Sequence, residues 1–242
     1  MSVNTESRSQ VPEPRQQVYE DVGPRLRAHR ERAGIGLREL ARRVGVSASM
    51  ISQIETSKAQ PSVGTLYAVV TSLGLSMDEL FTSDGSTSDS TRSRDPDAGA
   101  PPSEKEQYRA VPQRTAESVE PGSPVQRANT RKAIRLAGGV CWERLTSQHD
   151  RDTDFLFVVY EPGAASCDAD SYMRHAGKEY GIVLSGQLAV AVGFEDYLLG
   201  PGDSISFDST IPHRLWNPGD EAVRGIWVVT GRYGESPEGD AR

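Results

Sequence analysis

Cysteine is scarce in this chain, and its scarcity narrows the possible classes of protein. Two cysteines in 242 residues, Cys141 and Cys167, exclude a disulfide scaffold and a zinc site built from four cysteines. Long apolar runs are missing too. The longest, Phe155–Tyr160, has six residues, whereas a membrane-spanning helix needs about 20. The polar residues 1–15 contain no apolar segment like that of a secretory signal peptide. We therefore expect a protein of the reducing cytoplasm that does not engage a membrane.

An overall excess of positive charge is also absent. The chain has 27 Lys and Arg against 34 Asp and Glu, a net charge of −7, which excludes a uniformly basic nucleic-acid coat protein. The two signs are nevertheless segregated. Residues 22–62 carry eight basic and three acidic residues, whereas residues 131–242 carry eleven and seventeen. This distribution favours a polyanionic partner for the N-terminal part alone.

Large apolar side chains are missing from residues 82–103, which contain no Val, Ile, Leu, Met, Phe, Trp or Tyr. Such a segment cannot bury enough apolar surface to offset the entropy of ordering, so we interpret it as a flexible linker that extends to residue 124. The chain then divides into a disordered tail, a helical domain, the linker, a β-rich domain and a second disordered tail, at residues 1–21, 22–81, 82–124, 125–234 and 235–242.

Short helices are the pattern of residues 22–81, and we predict five of them. They cover Val22–Ala33, Leu37–Val44, Ala48–Glu55, a segment that begins after Ser62, and a short segment between Ser76 and Phe81. Gly45 lies between the second and third helices, where a sharp turn needs the left-handed conformation that glycine tolerates. Apolar residues on both sides of this turn are spaced to lock the third helix against the second.

The segment LRELARRVGVSASMISQIET, residues 37–56, resembles the helix-turn-helix of the lambda-repressor-like, or Xre-type, family. The resemblance extends over residues 22–81. It implies a DNA-binding domain in which the third helix enters the major groove and reads base edges. The residues that the resemblance assigns to bases or phosphates are Arg38, Ser47, Ala48, Ser49, Met50, Ser52, Gln53, Lys58 and Ser62. Among them, Gln53 suits adenine, and Arg38 suits a phosphate. We assign the arginines of the first helix, Arg25, Arg27, Arg30 and Arg32, to a solvated face.

Eight short, turn-separated strands are predicted in the second half of the chain, which indicates an antiparallel barrel or sandwich. We expect a tight hairpin turn at Ser185-Gly186. The predicted strands are Gly139–Thr146, Phe155–Glu161, Glu179–Leu184, Gln187–Val192, Tyr197–Leu199, Ser204–Phe207, Arg214–Asn217 and Val223–Thr230.

Two stretches in this half, HAGKEYGIVLSG and GDSISFDSTIPHRLWN, resemble the two cupin motifs. The resemblance covers residues 125–234 and implies a double-stranded β-helix, or jelly roll, with an internal pocket. The first histidine of the usual metal-binding motif is replaced by Met173, which leaves His175, Glu179 and His213. Two histidines and one carboxylate form a triad suited to iron(II) or a similar divalent ion. The other interpretation is that this trio of side chains holds no metal. Its members would then hydrogen-bond an effector or one another.

Together, the two resemblances lead to the hypothesis of a sequence-specific transcriptional regulator. It is expected to bind a palindromic operator in double-stranded DNA as a homodimer and to sense a small-molecule effector through the cupin domain. We expect no catalysis and no required cofactor, although the cupin domain is expected to bind a divalent ion weakly. The alternative is a mononuclear non-haem iron(II) oxygenase or epoxidase that uses the helical domain only for assembly. An intact helix-turn-helix favours the regulator, because an enzyme does not need one.

Overall fold

The computed structural model describes residues 18–81 and 123–232. Most of the predicted linker and both ends of the chain, residues 1–17, 82–122 and 233–242, lie outside the described residues. Within the two described ranges, no helix is both long and apolar enough to cross a bilayer.

Four α-helices form the N-terminal part, as the sequence predicts: α1 Val22–Arg32, α2 Leu37–Val44, α3 Ala48–Glu55 and α4 Val63–Leu73. The expected fifth helix is instead a short 3₁₀ helix over Met77–Leu80. The Ser76 hydroxyl accepts from the backbone N–H of Glu79 at 3.3 Å, and the Glu79 carboxylate accepts from the Ser76 N–H at 2.6 Å. This reciprocal capping satisfies the first N–H groups of the segment but does not extend it into an α-helix.

Two β-sheets form the C-terminal part. One has seven strands in the order β1-β2-β3-β4-β10-β5-β8, and the other has three in the order β7-β6-β9. All eight predicted strands are present, with ends within two residues of the prediction. The strands are β1 Val18–Tyr19, β2 Lys132–Leu136, β3 Val140–Arg144, β4 Thr153–Tyr160, β5 Lys178–Ser185, β6 Leu188–Val192, β7 Glu195–Leu199, β8 Ser204–Asp208, β9 His213–Trp216 and β10 Val223–Thr230.

Two strands, β1 and β2, were not predicted. Strand β1 pairs in parallel with β2, so residues 18–21, which we placed in the N-terminal tail, belong to the folded structure. Asp21 is the N-cap of α1 and accepts from the Gly23 N–H at 3.1 Å. A two-residue strand shows no alternation in the sequence, so only its partner strand reveals it.

The connection at Ser185-Gly186 is not a hairpin, contrary to our prediction. Strand β5 pairs with β10 and β8, whereas β6 pairs with β7 and β9 in the other sheet. The chain therefore crosses between the sheets at Gly186, whose φ is +76°. Short strands on either side of a Gly turn look alike in sequence whether the chain returns beside itself or changes sheet.

The helical domain packs directly on the β-domain through α4 and the segments beside it. The backbone N–H of Gly64 donates to the Ser166 carbonyl at 3.1 Å, and that of Ala137 donates to the Pro61 carbonyl at 2.9 Å. Asp78 binds Arg144 at 2.6 Å, and both side chains are buried. Buried apolar residues of the two domains form one continuous core. The two domains thus meet in a packed interface.

Candidate functional site

Helix α3 exposes a polar face to solvent, and its opposite, apolar face packs in the helical core. Ser47 caps the helix by accepting from the Met50 N–H at 3.1 Å. Ile51 and Ile54 are buried in the helical core. Of the predicted base-contacting residues, Ser47, Ser49, Met50 and Gln53 are exposed and Ala48 and Ser52 are half-buried. This exposed face is what insertion into a major groove requires.

The predicted phosphate-binding residues lie at the ends of the helices. Arg38 is exposed in the first turn of α2, and Lys58 is exposed just after α3. The hydroxyl of Ser62 is used within the fold, because it accepts from the Thr65 N–H at 3.1 Å and donates to the Thr65 hydroxyl at 2.9 Å. Ser62 is therefore first of all the cap of α4, whereas Arg38 and Lys58 have their charges in solvent.

A buried ion pair holds α3 against α1. Arg30 binds Glu55 through two hydrogen bonds, of 2.6 and 2.8 Å, and donates a third to the Ile35 carbonyl. Arg30 is 7% exposed and Glu55 is 5% exposed. Our assignment of Arg30 to a solvated face was wrong, since its partner lies in a different helix and the spacing within α1 does not show it. Arg25 is also engaged, with Glu20 and the Leu80 carbonyl.

The three predicted cupin residues converge from separate parts of the β-domain. His175 lies before β5, Glu179 is on β5, and His213 begins β9 in the other sheet. Nε2 of His175 is 2.9 Å from Oε1 of Glu179, and Nε2 of His213 is 3.1 Å from the same oxygen. All three residues are buried. The fold therefore brings His213 to His175 and Glu179, which lie four residues apart in the sequence.

Backbone carbonyls set the orientation of both imidazoles. The Nδ1 atom of His175 is 3.0 Å from the Ala176 carbonyl, and that of His213 is 2.9 Å from the Ile211 carbonyl. A carbonyl only accepts, so Nδ1 is the donor in each ring and Nε2 is the atom that faces Glu179. Backbone carbonyls that accept from Nδ1 orient metal-bound histidines in the same way.

The carboxylate of Glu179 is anchored and ionised. Its Oε2 atom accepts from the indole N–H of Trp227 at 2.7 Å. Burial alone would raise the pKa of the Glu179 carboxyl, but the two imidazoles beside it lower that pKa to about 2. Burial lowers the pKa of His213, and contact with Glu179 outweighs this effect, so the net pKa is raised. The sequence did not predict that Trp227 holds the carboxylate.

The three ligand atoms suit a divalent ion. The atoms of His175, Glu179 and His213 that could bind metal all lie within 4.8 Å of one another. Despite their short separations, Glu179 Oε1 and both Nε2 atoms are buried without a partner of hydrogen-bond geometry. Buried polar atoms without such a partner carry a desolvation cost that a bound cation would relieve. The donor set, two imidazoles and one carboxylate, fits iron(II) or a similar ion.

Tyr67 of α4 covers this trio, a contact that the sequence did not predict. Its ring stacks on the His175 imidazole, with centroids 4.3 Å apart and planes inclined by 18°. The Arg232 guanidinium lies 4.3 Å from the Tyr67 centroid, and the Trp142 ring meets it edge-on at 5.5 Å. In the sequence, Tyr67 is one more buried position of a helix, and only the docking of the two domains gives it this place.

Two family models match the chain. One, described as a helix-turn-helix domain, matches residues 21–81, and the other, described as a cupin domain, matches residues 156–229. The chain is an Xre-type helix-turn-helix regulator with a cupin domain. This regulator is 26% identical over 197 residues to the HTH-type transcriptional regulator PuuR of Escherichia coli (strain K12), covering 81% of this chain and 86% of the relative. The protein of the same name from Shigella flexneri aligns equally well.

A solved structure supports the fold of the regulator. The crystal structure of an HTH_3 family transcriptional regulator from Vibrio cholerae aligns with a TM-score of 0.53 at 18% identity, covering 87% of this chain and 95% of that one. Hydroxypropylphosphonic acid epoxidase from S. wedmorenis aligns over 87% of this chain and 97% of its own at 17% identity, with a TM-score of 0.39.

Proposed function

We propose that this regulator binds a palindromic operator as a homodimer and that its cupin domain senses a small-molecule effector. The observation that carries the proposal is the exposed polar face of α3, fixed from below by Ile51, Ile54 and the buried Arg30–Glu55 pair. One such helix reads only a few base pairs, so useful specificity requires two of them on adjacent half-sites. A homodimer supplies the second helix.

The contacts divide into base reading and phosphate binding. Gln53 and Ser49 point from the exposed face of α3 and are proposed to read bases, with Ala48, Met50 and Ser52 beside them. Arg38 and Lys58 are proposed to bind phosphates, and Ser47 and Ser62 to offer backbone and hydroxyl groups at the starts of their helices. These assignments separate sequence preference from overall affinity, which makes them testable one by one.

The two sheets are proposed to form the double-stranded β-helix of a cupin, with the effector site at the trio. His175, Glu179 and His213 would hold a divalent ion. Three protein ligands would leave coordination positions for water or for an oxygen or nitrogen donor of the effector. Because a fourth protein ligand is replaced by Met173, whose side chain lies beside Gly64, we expect weak metal binding.

The alternative is a mononuclear iron(II) oxygenase or epoxidase, and the donor set of the trio is the observation that favours it. Against it, α4 of the DNA-binding domain covers the trio, and the cavity beside Glu179 measures about 20 Å³. That volume accommodates a water molecule but no organic substrate. Oxygen uptake by iron-loaded protein in the presence of small organic acids would support the enzyme.

Selection of bound genomic DNA with the purified full chain tests the proposal. The selection is run without additions and then with pools of candidate metabolites, each with and without a divalent metal. Enriched palindromes, with an occupancy that changes with one metabolite pool, are the expected result. Enrichment that no pool alters would remove effector sensing, and no enrichment under any condition would remove the regulator.

A further inference from the structure

Helix α4 belongs to the DNA-binding domain, yet two of its side chains form the wall of the cupin site. Val63 and Tyr67 are buried against the β-domain and line the cavity beside Glu179. The ring of Tyr67 covers the His175 imidazole at a centroid distance of 4.3 Å. The cupin site is therefore closed by a part of the chain that lies outside the cupin.

The cavity beside Glu179 is too small for an organic ligand. Its volume is about 20 Å³, and it is lined mainly by aromatic and aliphatic side chains, with Glu179 as its one charged residue. A single water molecule needs about 10–15 Å³ of such space, so one water or one small ligand atom fits. A ligand with an apolar body and a metal-binding oxygen or nitrogen suits this lining, but it has room only if the Tyr67 ring leaves.

We propose that α4 is the lid of the cupin site, with Tyr67 occupying the space that an effector needs, so that effector binding and docking of the helix-turn-helix domain exclude one another. This inference rests on the proposed function and gives it a mechanism. Helices α3 and α4 both pack on α1 and α2, so they move as one domain. Lifting the lid releases the recognition helix from its fixed orientation on the β-domain. By linkage, the operator and the effector then weaken each other's binding by the same factor.

The sequence offers a way to lock the lid. A Cβ atom built on Gly64 of α4 would lie 3.7 Å from the Cβ atom of Cys167 in the β-domain. Disulfides span Cβ separations of about 3.5–4.5 Å, so Gly64→Cys should form a reversible cross-link with Cys167. The new Cβ would be 3.2 Å from Cγ of Met173, which is part of a flexible side chain. Gly64→Ser adds a side chain of similar size without a thiol and is the matched control.

Metal ions alone serve as the probe. Ni²⁺ favours more than four ligands, so beyond the trio it needs two or three additional donors, whereas tetrahedral Zn²⁺ needs one. In calorimetric titrations, oxidised Gly64→Cys should bind Ni²⁺ at least about tenfold more weakly than the same protein after reduction. Its affinity for Zn²⁺ should be the same in both states. Gly64→Ser should show no effect of oxidant, and Tyr67→Ala should bind Ni²⁺ more tightly than Tyr67→Phe, which keeps the ring.

Three results would each contradict the proposal that α4 is the lid of the cupin site. Equal Ni²⁺ affinity of the oxidised and reduced protein would show that the site does not need to open. Failure of Gly64→Cys to cross-link would show that α4 does not rest on the β-domain. Absence of Ni²⁺ binding even in Tyr67→Ala would show that no ligand site lies beneath it. The same samples are titrated with the selected operator: retained operator binding would leave the proposed function standing, and its loss in every form, including the wild type, would count against that function separately.

Discussion

At the scale of single residues, the cupin site depends on the charge of the Glu179 carboxylate, which burial and neighbouring side chains affect in opposite directions. Glu179 is buried, which disfavours its charge, but two imidazoles and the Trp227 indole surround it and keep it ionised. The resemblance to the two cupin motifs made the trio of His175, Glu179 and His213 predictable. Trp227 could not, because its indole N–H reaches Glu179 only through the pairing of β10 with β5. Tyr67 could not either, because it comes from the other domain.

The DNA-contact assignments predict two different responses to mutation. Gln53→Ala should weaken operator binding by roughly 1–3 kcal/mol and relax the preference at one base pair of each half-site, because it removes a base-edge contact. Arg38→Ala should weaken binding to all duplexes and lower the slope of log affinity against log salt by about 0.9 for each lost phosphate contact. Fluorescence anisotropy over a salt series distinguishes the two. Identical behaviour of both variants on every duplex would refute the division of roles.

The cupin site is expected to bind a divalent ion weakly. Protein purified without chelator should contain substoichiometric divalent ion by elemental analysis, because only three protein ligands are present. His213→Ala should abolish the bound metal. The circular dichroism spectrum should persist, since the strands bury their own apolar faces without a metal cage. Stoichiometric iron retained through dialysis, together with oxygen consumption on addition of a small organic acid, would instead make the enzyme the better account.

At the scale of elements, alternation and caps made most of the secondary structure predictable. Helices α1 to α4 begin at capping residues or after Gly turns, and the eight predicted strands carry enough apolar residues to be recognised. Strand β2 was missed because Lys132–Leu136 has charged residues at its first and fourth positions and no strict alternation, and its place depends on β3. The crossing at Ser185-Gly186 was missed because a turn residue shows that the chain bends but does not show which sheet it enters.

Strand β5 has no room for a side chain at Gly181, where it packs against Trp227. A Cβ atom on Gly181 would lie 2.0 Å from the Trp227 ring, so Gly181→Ala forces the indole that holds Glu179 to shift. We expect a loss of about 1–3 kcal/mol in the free energy of unfolding, as for other overpacked cores, together with weaker metal binding. Gly200→Ala, whose new Cβ would meet only Asp203 at 3.7 Å, is the control and should remain within about 0.5 kcal/mol of wild type. Chemical denaturation measures both, and equal stability of the two variants would contradict the packing argument.

At the scale of the whole molecule, the two domains form a single packed unit. The sequence predicted a flexible linker between the two domains, and a flexible tether transmits orientation poorly. The structure instead places α4 on the β-domain through Gly64, Tyr67 and the Asp78–Arg144 pair. Composition identifies segments that cannot form a core, but it does not show how the domains on either side of them pack. Coupling between the cupin site and DNA therefore has a direct route.

Residues 1–81 alone should bind the operator poorly compared with the full chain. The isolated helical domain would lose the β-domain that fixes α4 and, in the proposed dimer, the second reading helix. We expect the full chain to protect two half-sites about one helical turn apart in a footprinting experiment. If the isolated domain bound as tightly as the full chain in the same titration, the cupin domain would have no part in dimerisation.

Sequence-specific DNA binding through α3 can be measured in a competition titration at physiological salt. The full-length protein is titrated against a selected operator and against a duplex of the same composition in scrambled order. Specific regulators bind their sites about 10³-fold or more above unrelated DNA, and we predict a ratio of at least that order. A ratio near one, with both affinities falling equally as salt rises, would contradict the account.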